Sequence, residues 1–268
     1  MTEARPQETP ELKPGTFCWI ELATSDAEAA KNFYSQLFDW TYIDNPMGPD
    51  MVYTMIQLDG KDVGGLYKLM PEQASQGVPP HWLSYVLVSN ADESTAKAKD
   101  LGATILKEAF DVAEIGRMSV IQDPTGAVFA LWQAGTHSGS GVYNVPNSFC
   151  WNELMTTDTA KDKEFYTGLF GWGADTQNFG PMEYTMFQNG ERGAGGMLQI
   201  TPEMGPIPPH WLVYFAVDDC DAKVQRASEL GAQVMKPADD IPGIGRFAIL
   251  MDPQGGAFAI IKLEQPPA

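Results

Sequence analysis

The chain has 268 residues, which is enough for one large domain or two of ordinary size. Its composition, 44% hydrophobic and 11% aromatic, is typical of a packed globular protein and excludes a disordered one. With 35 acidic and 17 basic residues, the formal net charge is −18. This charge disfavours nucleic acid and anionic lipid as partners and favours cationic ones. A need for solubility alone would also explain it.

Cysteine usage and hydropathy indicate a cytoplasmic protein. The three cysteines are an odd number, and Cys18 and Cys150 occupy equivalent positions of a repeat, so we expect packing rather than a disulfide framework. No apolar run reaches the roughly 18 residues of a membrane helix, and the polar N-terminus lacks the hydrophobic region of a signal peptide. We therefore expect no membrane partner.

The first predicted element is a strand with the sequence FCWIELAT. Alternation along a strand predicts that Phe17, Trp19 and Glu21 share one face, with Cys18 on the other. The following Ser-Asp-Ala-Glu, residues 25–28, predicts a capping box and a helix with an apolar stripe. Two strands joined by Asp-Gly at 59–60 then predict a hairpin.

The same order of elements then starts again. A strand WLSYVLV is followed by a helix that we expect to be capped at Asn90 and to end at Leu101-Gly102. Strands are expected near 104–107, 116–122 and 127–132. Each half is thus predicted to contain two βαβββ modules.

The second half of the chain repeats the first. FCWIEL at 17–22 returns as FCWNEL at 149–154, an offset of 132 that falls to 129 from His81 and His210 onward. The segment between the copies is rich in Gly and Ser, which is typical of a linker. We therefore predict domain 1 at 15–133, a linker at 134–146 and domain 2 at 147–263.

These motifs resemble the vicinal oxygen chelate superfamily, which includes glyoxalase I, bleomycin resistance proteins and extradiol dioxygenases. The resemblance rests on TSDAEAAKNFYSQLFDW and TTDTAKDKEFYTGLFGW, and on DPTGAVFALW and DPQGGAFAII. It is strongest to a tandem-domain, glyoxalase-like branch that includes bacterial culture-filtrate antigens. It implies an α+β fold in which paired modules form a cup-shaped sheet, with the pairing within or between halves left open.

The resemblance also implies where a metal ion would bind. The family's ligand positions that can be aligned fall on side chains that do not coordinate divalent ions, namely Trp19, Leu83, Ala130, Trp151, Leu212 and Ala259. The remaining ligand position, on the third strand, could not be aligned. We therefore expect no metal cofactor.

The residues at and beside those positions suggest a cup that binds an organic molecule rather than a metal ion. Trp19 and Glu21, repeated as Trp151 and Glu153, suit a cationic or hydrogen-bonding organic ligand. The alternative is that the Trp fills space and Glu21 pairs with a basic residue such as Arg117. The set of candidate ligand-binding residues is Trp19, Glu21, His81, Tyr85, Arg117, Trp151, Glu153, His210, Tyr214 and Arg246.

Some of these candidates have simpler explanations. His81 and His210 can be strand-start histidines satisfied by the backbone, and Arg117 and Arg246 can form structural salt bridges at the cup mouth. The leading hypothesis is a metal-independent binder of a small molecule. One alternative is an enzyme, namely a lyase, isomerase or dioxygenase that uses a displaced metal or a Glu/His pair. The other is an interaction protein whose cups are filled by side chains.

Overall fold

The computed structural model describes residues 12–49, 51–179 and 182–265. Within these residues each half forms one eight-stranded sheet. The strands of the first half are β1 Phe17–Thr24, β2 Thr41–Pro46, β3 Val52–Leu58, β4 Lys61–Lys68, β5 His81–Leu87, β6 Thr104–Val112, β7 Gly116–Gln122 and β8 Val128–Ala134. Its helices are α1 Ala27–Phe38, α2 Pro71–Ser75 and α3 Ala91–Asp100.

The second half repeats this order within its described residues. Its strands are β9 Phe149–Thr156, β10 Gly173–Phe179, β11 Met182–Asn189, β12 Arg192–Gln199, β13 His210–Ala216, β14 Gln233–Ile241, β15 Gly245–Met251 and β16 Ala257–Leu263. Its helices are α4 Thr159–Phe170 and α5 Cys220–Glu229, with a short 3-10 helix at Pro202–Met204.

The two modules of each half pair with one another. The first sheet has the order β2-β3-β4-β1-β5-β8-β7-β6, and the second has the equivalent order from β10 to β14. The modules meet where β1 pairs antiparallel with β5, and where β9 pairs with β13. Pairing within halves answers the question that the sequence left open, and the predicted α+β fold is confirmed.

Local signals placed most element boundaries correctly. Asn90 caps α3 by accepting from the Glu93 amide, and the Asp59-Gly60 turn has the two positive φ values, 50° and 75°, that such a hairpin needs. The capping box was placed one residue early, because Asp26 rather than Ser25 caps α1. The βαβββ pattern requires the strand β2, but its residues were not predicted.

A bulge in β1 corrects one prediction. The pairing register with β5 shifts between Phe17 and Trp19, so these two side chains do not share a face. Phe17 instead packs between the halves against Trp211, with ring centroids 4.9 Å apart. Cys18 and Trp19 both belong to the cluster on the outer face.

The main cores lie between the two sheets and draw on both halves. One core joins α1 and the inner face of β1 and β4 to Phe215, Leu250 and Phe258 of the second half. The other core joins α4 to Val86 and Phe129 of the first half in the same way. Each long helix is therefore buried between its own sheet and the other sheet.

Hydrogen bonds fasten the halves at these two interfaces. Trp82 donates to the Tyr34 hydroxyl, which donates to Asp252 of the opposite half at 2.9 Å. Its counterpart runs from Trp211 through Tyr166 to Asp123, also at 2.9 Å. The aspartates are those of the two Asp-Pro-x-Gly turns, to which the sequence assigned no function.

The two interfaces differ at one helical position. Asp162 of α4 is fully buried, whereas the equivalent residue of α1 is Ala30. One oxygen of Asp162 accepts from Thr125 at 2.8 Å, and the other has no hydrogen-bond partner among the residues that the structure describes. Burial first, and the charge of Asp123 second, raise the pKa of Asp162 to about 7.

All three cysteines, Cys18, Cys150 and Cys220, are free, as packing residues should be. Among the residues that the structure describes, no helix has the length and apolarity needed to cross a membrane.

Candidate functional site

Each sheet carries a second hydrophobic cluster on the face that looks away from the other half. We call these faces the first cup and the second cup. The first cup is the outer face of the first sheet, lined by Trp19, Glu21, Leu83, Tyr85, Ala130 and Trp132. The second cup is its equivalent, lined by Trp151, Glu153, Leu212, Tyr214 and Ala259.

A buried carboxyl group is held by tyrosines in the first cup. Tyr85 donates to Glu21 Oε1 at 3.0 Å, and Tyr53 of β3 also hydrogen-bonds to this carboxyl group. Trp19 Nε1 in turn donates to the Tyr53 hydroxyl at 3.1 Å. The Trp and the carboxylate that the sequence placed on one face are thus joined through a tyrosine.

The second cup contains the same network. Tyr214 donates to Glu153 Oε1 at 2.8 Å, and Trp151 Nε1 donates to the Tyr184 hydroxyl at 3.0 Å. Burial raises the pKa of Glu153 to about 7 despite the hydrogen bonds from the two tyrosines. Burial raises the pKa of Glu21 as well. Both cups therefore hold a carboxyl group whose ionised form is disfavoured by burial.

Glycines on β4 and β12 make room for this network. A Cβ atom at Gly65 would lie 2.0 Å from the Tyr53 hydroxyl, and one at Gly196 would lie 1.9 Å from that of Tyr184. Only glycine therefore allows the tyrosine to cross the neighbouring strand and reach the carboxyl group on the central strand.

The two strand-start histidines lie on the cup face but are bound to the backbone. His81 Nδ1 donates to the Pro79 carbonyl at 2.9 Å, and His210 Nδ1 donates to Pro208 at 2.8 Å. Burial lowers the pKa of both rings, so they are neutral at pH 7. This agrees with the simpler explanation of the two residues, and a role in ligand binding stays a prediction.

The two arginines lie elsewhere. Arg117 forms ion pairs with Asp92 of α3 and with Asp111, both at 2.8 Å, and Arg246 pairs with Asp221 of α5 and with Asp240. Since Met118 packs on the first cup, strand alternation directs Arg117 to the helix side of β7. Both arginines thus form structural salt bridges, as the simpler explanation has it, and a role in ligand binding stays a prediction. The alternative in which Arg117 neutralises Glu21 was wrong, because Arg117 pairs with Asp92 and Asp111.

The donor set of the cups does not fit the metal ion that the fold family implies. Trp19, Leu83 and Ala130 meet in one cluster on the first cup, and Leu212 and Ala259 meet on the second, so the aligned ligand positions converge without a ligating side chain. Within residues 12–49, 51–179 and 182–265, no group of three or more His, Cys, Asp or Glu side chains is placed to hold a metal.

Several residues of the cups were not predicted as site residues. Tyr53 and Tyr184 complete the networks, and their place on a strand beside the repeated Gly-Gly pair is a signal that could have identified them. Burial first, and the charge of the nearby Glu21 second, raise the pKa of Tyr67. His137 was assigned to the linker, yet its ring contacts Trp19 edge-on, with centroids 4.7 Å apart.

Known proteins are similar to this chain in amino-acid sequence. The model of the Glyoxalase/Bleomycin resistance protein/Dioxygenase superfamily matches residues 16–131 and 149–260. The "Putative glyoxylase CFP32" of Mycobacterium tuberculosis is 40% identical over 254 residues, covering 94% of this chain and 96% of that protein. The "Anthracycline biosynthesis protein DnrV" of Streptomyces peucetius is 34% identical over 265 residues, covering 94% of each chain.

Solved structures agree in fold at low sequence identity. The Mn(II)-bound glyoxalase from Novosphingobium aromaticivorans superposes with a TM-score of 0.67 at 14% identity, covering 95% of this chain and 84% of that one. The 2,3-dioxygenase LapB from Pseudomonas sp. KL28 gives a TM-score of 0.66 at 12% identity, covering 96% and 95%. On its fold, its duplicated motifs and its matches over both halves, this chain belongs to the Glyoxalase/Bleomycin resistance protein/Dioxygenase superfamily.

Proposed function

We propose that this protein binds a small organic ligand, aromatic or cationic, in its cups without a resident metal ion. The observation that carries the proposal is the duplicated network in which a Trp, two Tyr and a buried Glu meet. It occupies the cup face on which the family's aligned ligand positions have become apolar. A network kept in both halves is better explained by binding than by packing, because a carboxyl group is costly to bury even where tyrosines donate to it.

The chemistry of the network favours an aromatic cation. Indole and phenol rings attract a cation to their faces, and a carboxylate adds a charge-assisted hydrogen bond. A bound cation offsets the penalty that burial imposes on the ionised form of Glu21. The net charge of −18 draws cations toward the protein from solution.

The relatives support the aromatic part of the proposal. Two Streptomyces proteins, each 34% identical to this chain, are named for anthracycline biosynthesis. Anthracyclines are polycyclic aromatic compounds, a class that the indole and phenol rings of the cups suit.

Two dyes test the proposal directly. Proflavine is a planar aromatic cation, and quinizarin is a neutral anthraquinone; the binding of each is measured by fluorescence titration of protein treated with EDTA. We expect proflavine to bind, and the double variant Glu21→Gln, Glu153→Gln to weaken it about tenfold or more through loss of the charge-assisted contacts. Glu164→Gln, an exposed neutralisation on α4, is the matched control and leaves affinity unchanged.

Three outcomes would overturn the proposal. No binding of either dye at millimolar concentration removes the aromatic or cationic ligand. Unchanged proflavine affinity in the double variant removes the carboxyl groups from the site. A stoichiometric divalent ion in protein purified without chelators, together with loss of dye binding in EDTA, removes the metal-independent site.

An enzyme is the second candidate, and the pKa of Glu153 favours it. A carboxyl group with a pKa of about 7 that is hydrogen-bonded by tyrosines is suited to general acid–base catalysis near neutral pH. Formation of a thioester from methylglyoxal and glutathione, followed by its absorbance with and without added Mn²⁺, tests glyoxalase-type turnover. Turnover that is lost in the double variant supports catalysis, whereas a folded protein that is inactive in both assays argues against it.

A further inference from the structure

The segment between the halves is fastened to the first sheet. Ser140 donates from its amide to the Cys18 carbonyl of β1 at 2.8 Å, and from its hydroxyl to the Val63 carbonyl of β4 at 2.7 Å. Gly139 has a φ of 122°, and a Cβ atom there would lie 2.5 Å from the Cys18 carbonyl oxygen. Only glycine therefore permits this close approach, and the segment is held in place rather than hanging free.

His137 of this segment is held over the aromatic wall of the first cup. Its amide donates to the Ile115 carbonyl at 3.1 Å, and its carbonyl accepts from Trp132 Nε1 at 3.0 Å. Its ring contacts Trp19 edge-on at 4.7 Å and Trp132 at 6.1 Å between centroids. Backbone and ring contacts thus fix the position of the imidazole.

One nitrogen of this ring accepts or donates no hydrogen bond within the described part of the chain. His137 Nε2 is buried and has no partner among residues 12–49, 51–179 and 182–265. Leaving a buried polar atom unpaired is unfavourable, so such an atom calls for an explanation. Burial also lowers the pKa of His137, which keeps the ring neutral and able to accept or donate a hydrogen bond.

The second cup has no counterpart of His137 among the described residues. By the repeat offset, the position of His137 corresponds to Pro266, whose side chain cannot form hydrogen bonds and which lies outside the described residues. Tyr67, whose hydroxyl accepts from Gln73 at 3.2 Å, corresponds to Leu198. Trp19 is buried at 5% exposure, whereas Trp151 is only half-buried.

We infer that the first cup is the principal ligand site, and that His137 Nε2 pairs with a hydrogen-bonding group of the ligand. This inference rests on the proposed function. The ligand it describes is a small aromatic molecule that places one polar group against His137 and another against Glu21, on the two sides of the Trp19 indole. Shielding from water makes both contacts stronger than they would be in an open cup.

Proflavine titration of single variants tests the inference. His137→Phe keeps an aromatic ring against Trp19 and removes both nitrogens, and Glu21→Gln neutralises the first cup; we expect each to weaken binding about tenfold. Glu164→Gln, exposed on α4 and outside both cups, is the control and should leave affinity unchanged. Glu153→Gln should weaken binding less than Glu21→Gln does, and calorimetry should give one site per chain. Melting temperatures of all variants confirm that they are folded.

The outcomes separate this inference from the proposed function. Two equivalent sites per chain, or a Glu153→Gln effect as large as that of Glu21→Gln, would overturn the preference for the first cup while the proposed function stands. Unchanged affinity in His137→Phe would remove His137 from the site. Wild-type protein that binds neither dye would overturn the proposed function, and this inference with it.

Discussion

The two halves have the same fold and the same cup network, but they differ in the residues that lie on the outer and inner sides of their sheets. On the outer side, both cups keep the Trp, Tyr and Glu network, and only the first is covered by His137. On the inner side, both interfaces keep the Trp, Tyr and Asp chain, and only one contains the buried Asp162. The repeated networks are common to both halves, and residues without a repeated counterpart, His137 and Asp162, make the halves unequal.

Removing either turn aspartate should give the largest loss of stability. Asp123 and Asp252 are each 3% exposed and accept three backbone amides as well as a tyrosine from the other half. Replacement by Ala leaves these donors unpaired, which should lower the free energy of unfolding by about 3 kcal/mol or more in urea titrations.

The two aspartate variants should not be equal. Loss of Asp123 also removes the charge that opposes ionisation of Asp162, so Asp123→Ala should lose less stability at pH 8 than Asp252→Ala. Adding Asp162→Asn to each should abolish the difference. A larger loss in Asp123→Ala would mean that Asp162 does not repel its neighbour.

Asp162→Asn should make the stability of the protein less dependent on pH. Folding raises the pKa of Asp162 from 3.8 to about 7, so ionisation of this carboxyl group disfavours the folded state. The stability of the wild-type protein therefore falls as the pH rises between these two pKa values, and it levels off above the higher one. Asn mimics the protonated acid, so the variant should gain up to about 4 kcal/mol over wild type at pH 8 and little near pH 4.

The measurement is urea unfolding across this pH range, with Glu164→Gln on the same helix as the control. Glu21, Glu153 and Asp252 also have raised pKa values and add a slope of the same sign, which both variants retain. An Asp162→Asn curve parallel to that of wild type would show that Asp162 stays ionised when buried.

Alanine at Gly65 or Gly196 should displace the tyrosine that crosses it. Overpacking at these positions should destabilise each half by about 1–3 kcal/mol, with similar losses in the two variants. Proflavine binding should separate them, because only Gly65→Ala disturbs the first cup. Equal effects of the two variants on dye affinity would contradict the inequality of the cups.

The smallest effect should come from replacing Arg117 or Arg246. Arg117→Gln and Arg246→Gln each break exposed ion pairs, which contribute little and are screened by salt. Both variants should match wild type in dye affinity, and any shift of the melting temperature should disappear at high salt. A loss of dye binding in Arg117→Gln alone would return this residue to the site.

Much of the fold followed from local chemistry, and much of the site did not. Turn and cap residues such as Asn90 and Gly60 act on backbone within a few residues of themselves, so their roles are readable from sequence. Phe17, beside the bulge, packs against Trp211 of the other half, a contact that no local pattern shows. His137 was missed because a Gly- and Ser-rich segment predicts flexibility, and only the long-range contacts of Ser140 fix it.

The burial of each long helix against the opposite half has a consequence for how such a chain arises. A polypeptide with the sequence of one half would leave the apolar face of its helix uncovered, and a second copy offers the matching sheet with two-fold symmetry. The duplicated chain is thus equivalent to a fused homodimer. Fusion frees the two copies to diverge, because a substitution such as Ala30 to Asp at one symmetry-related position no longer appears at both.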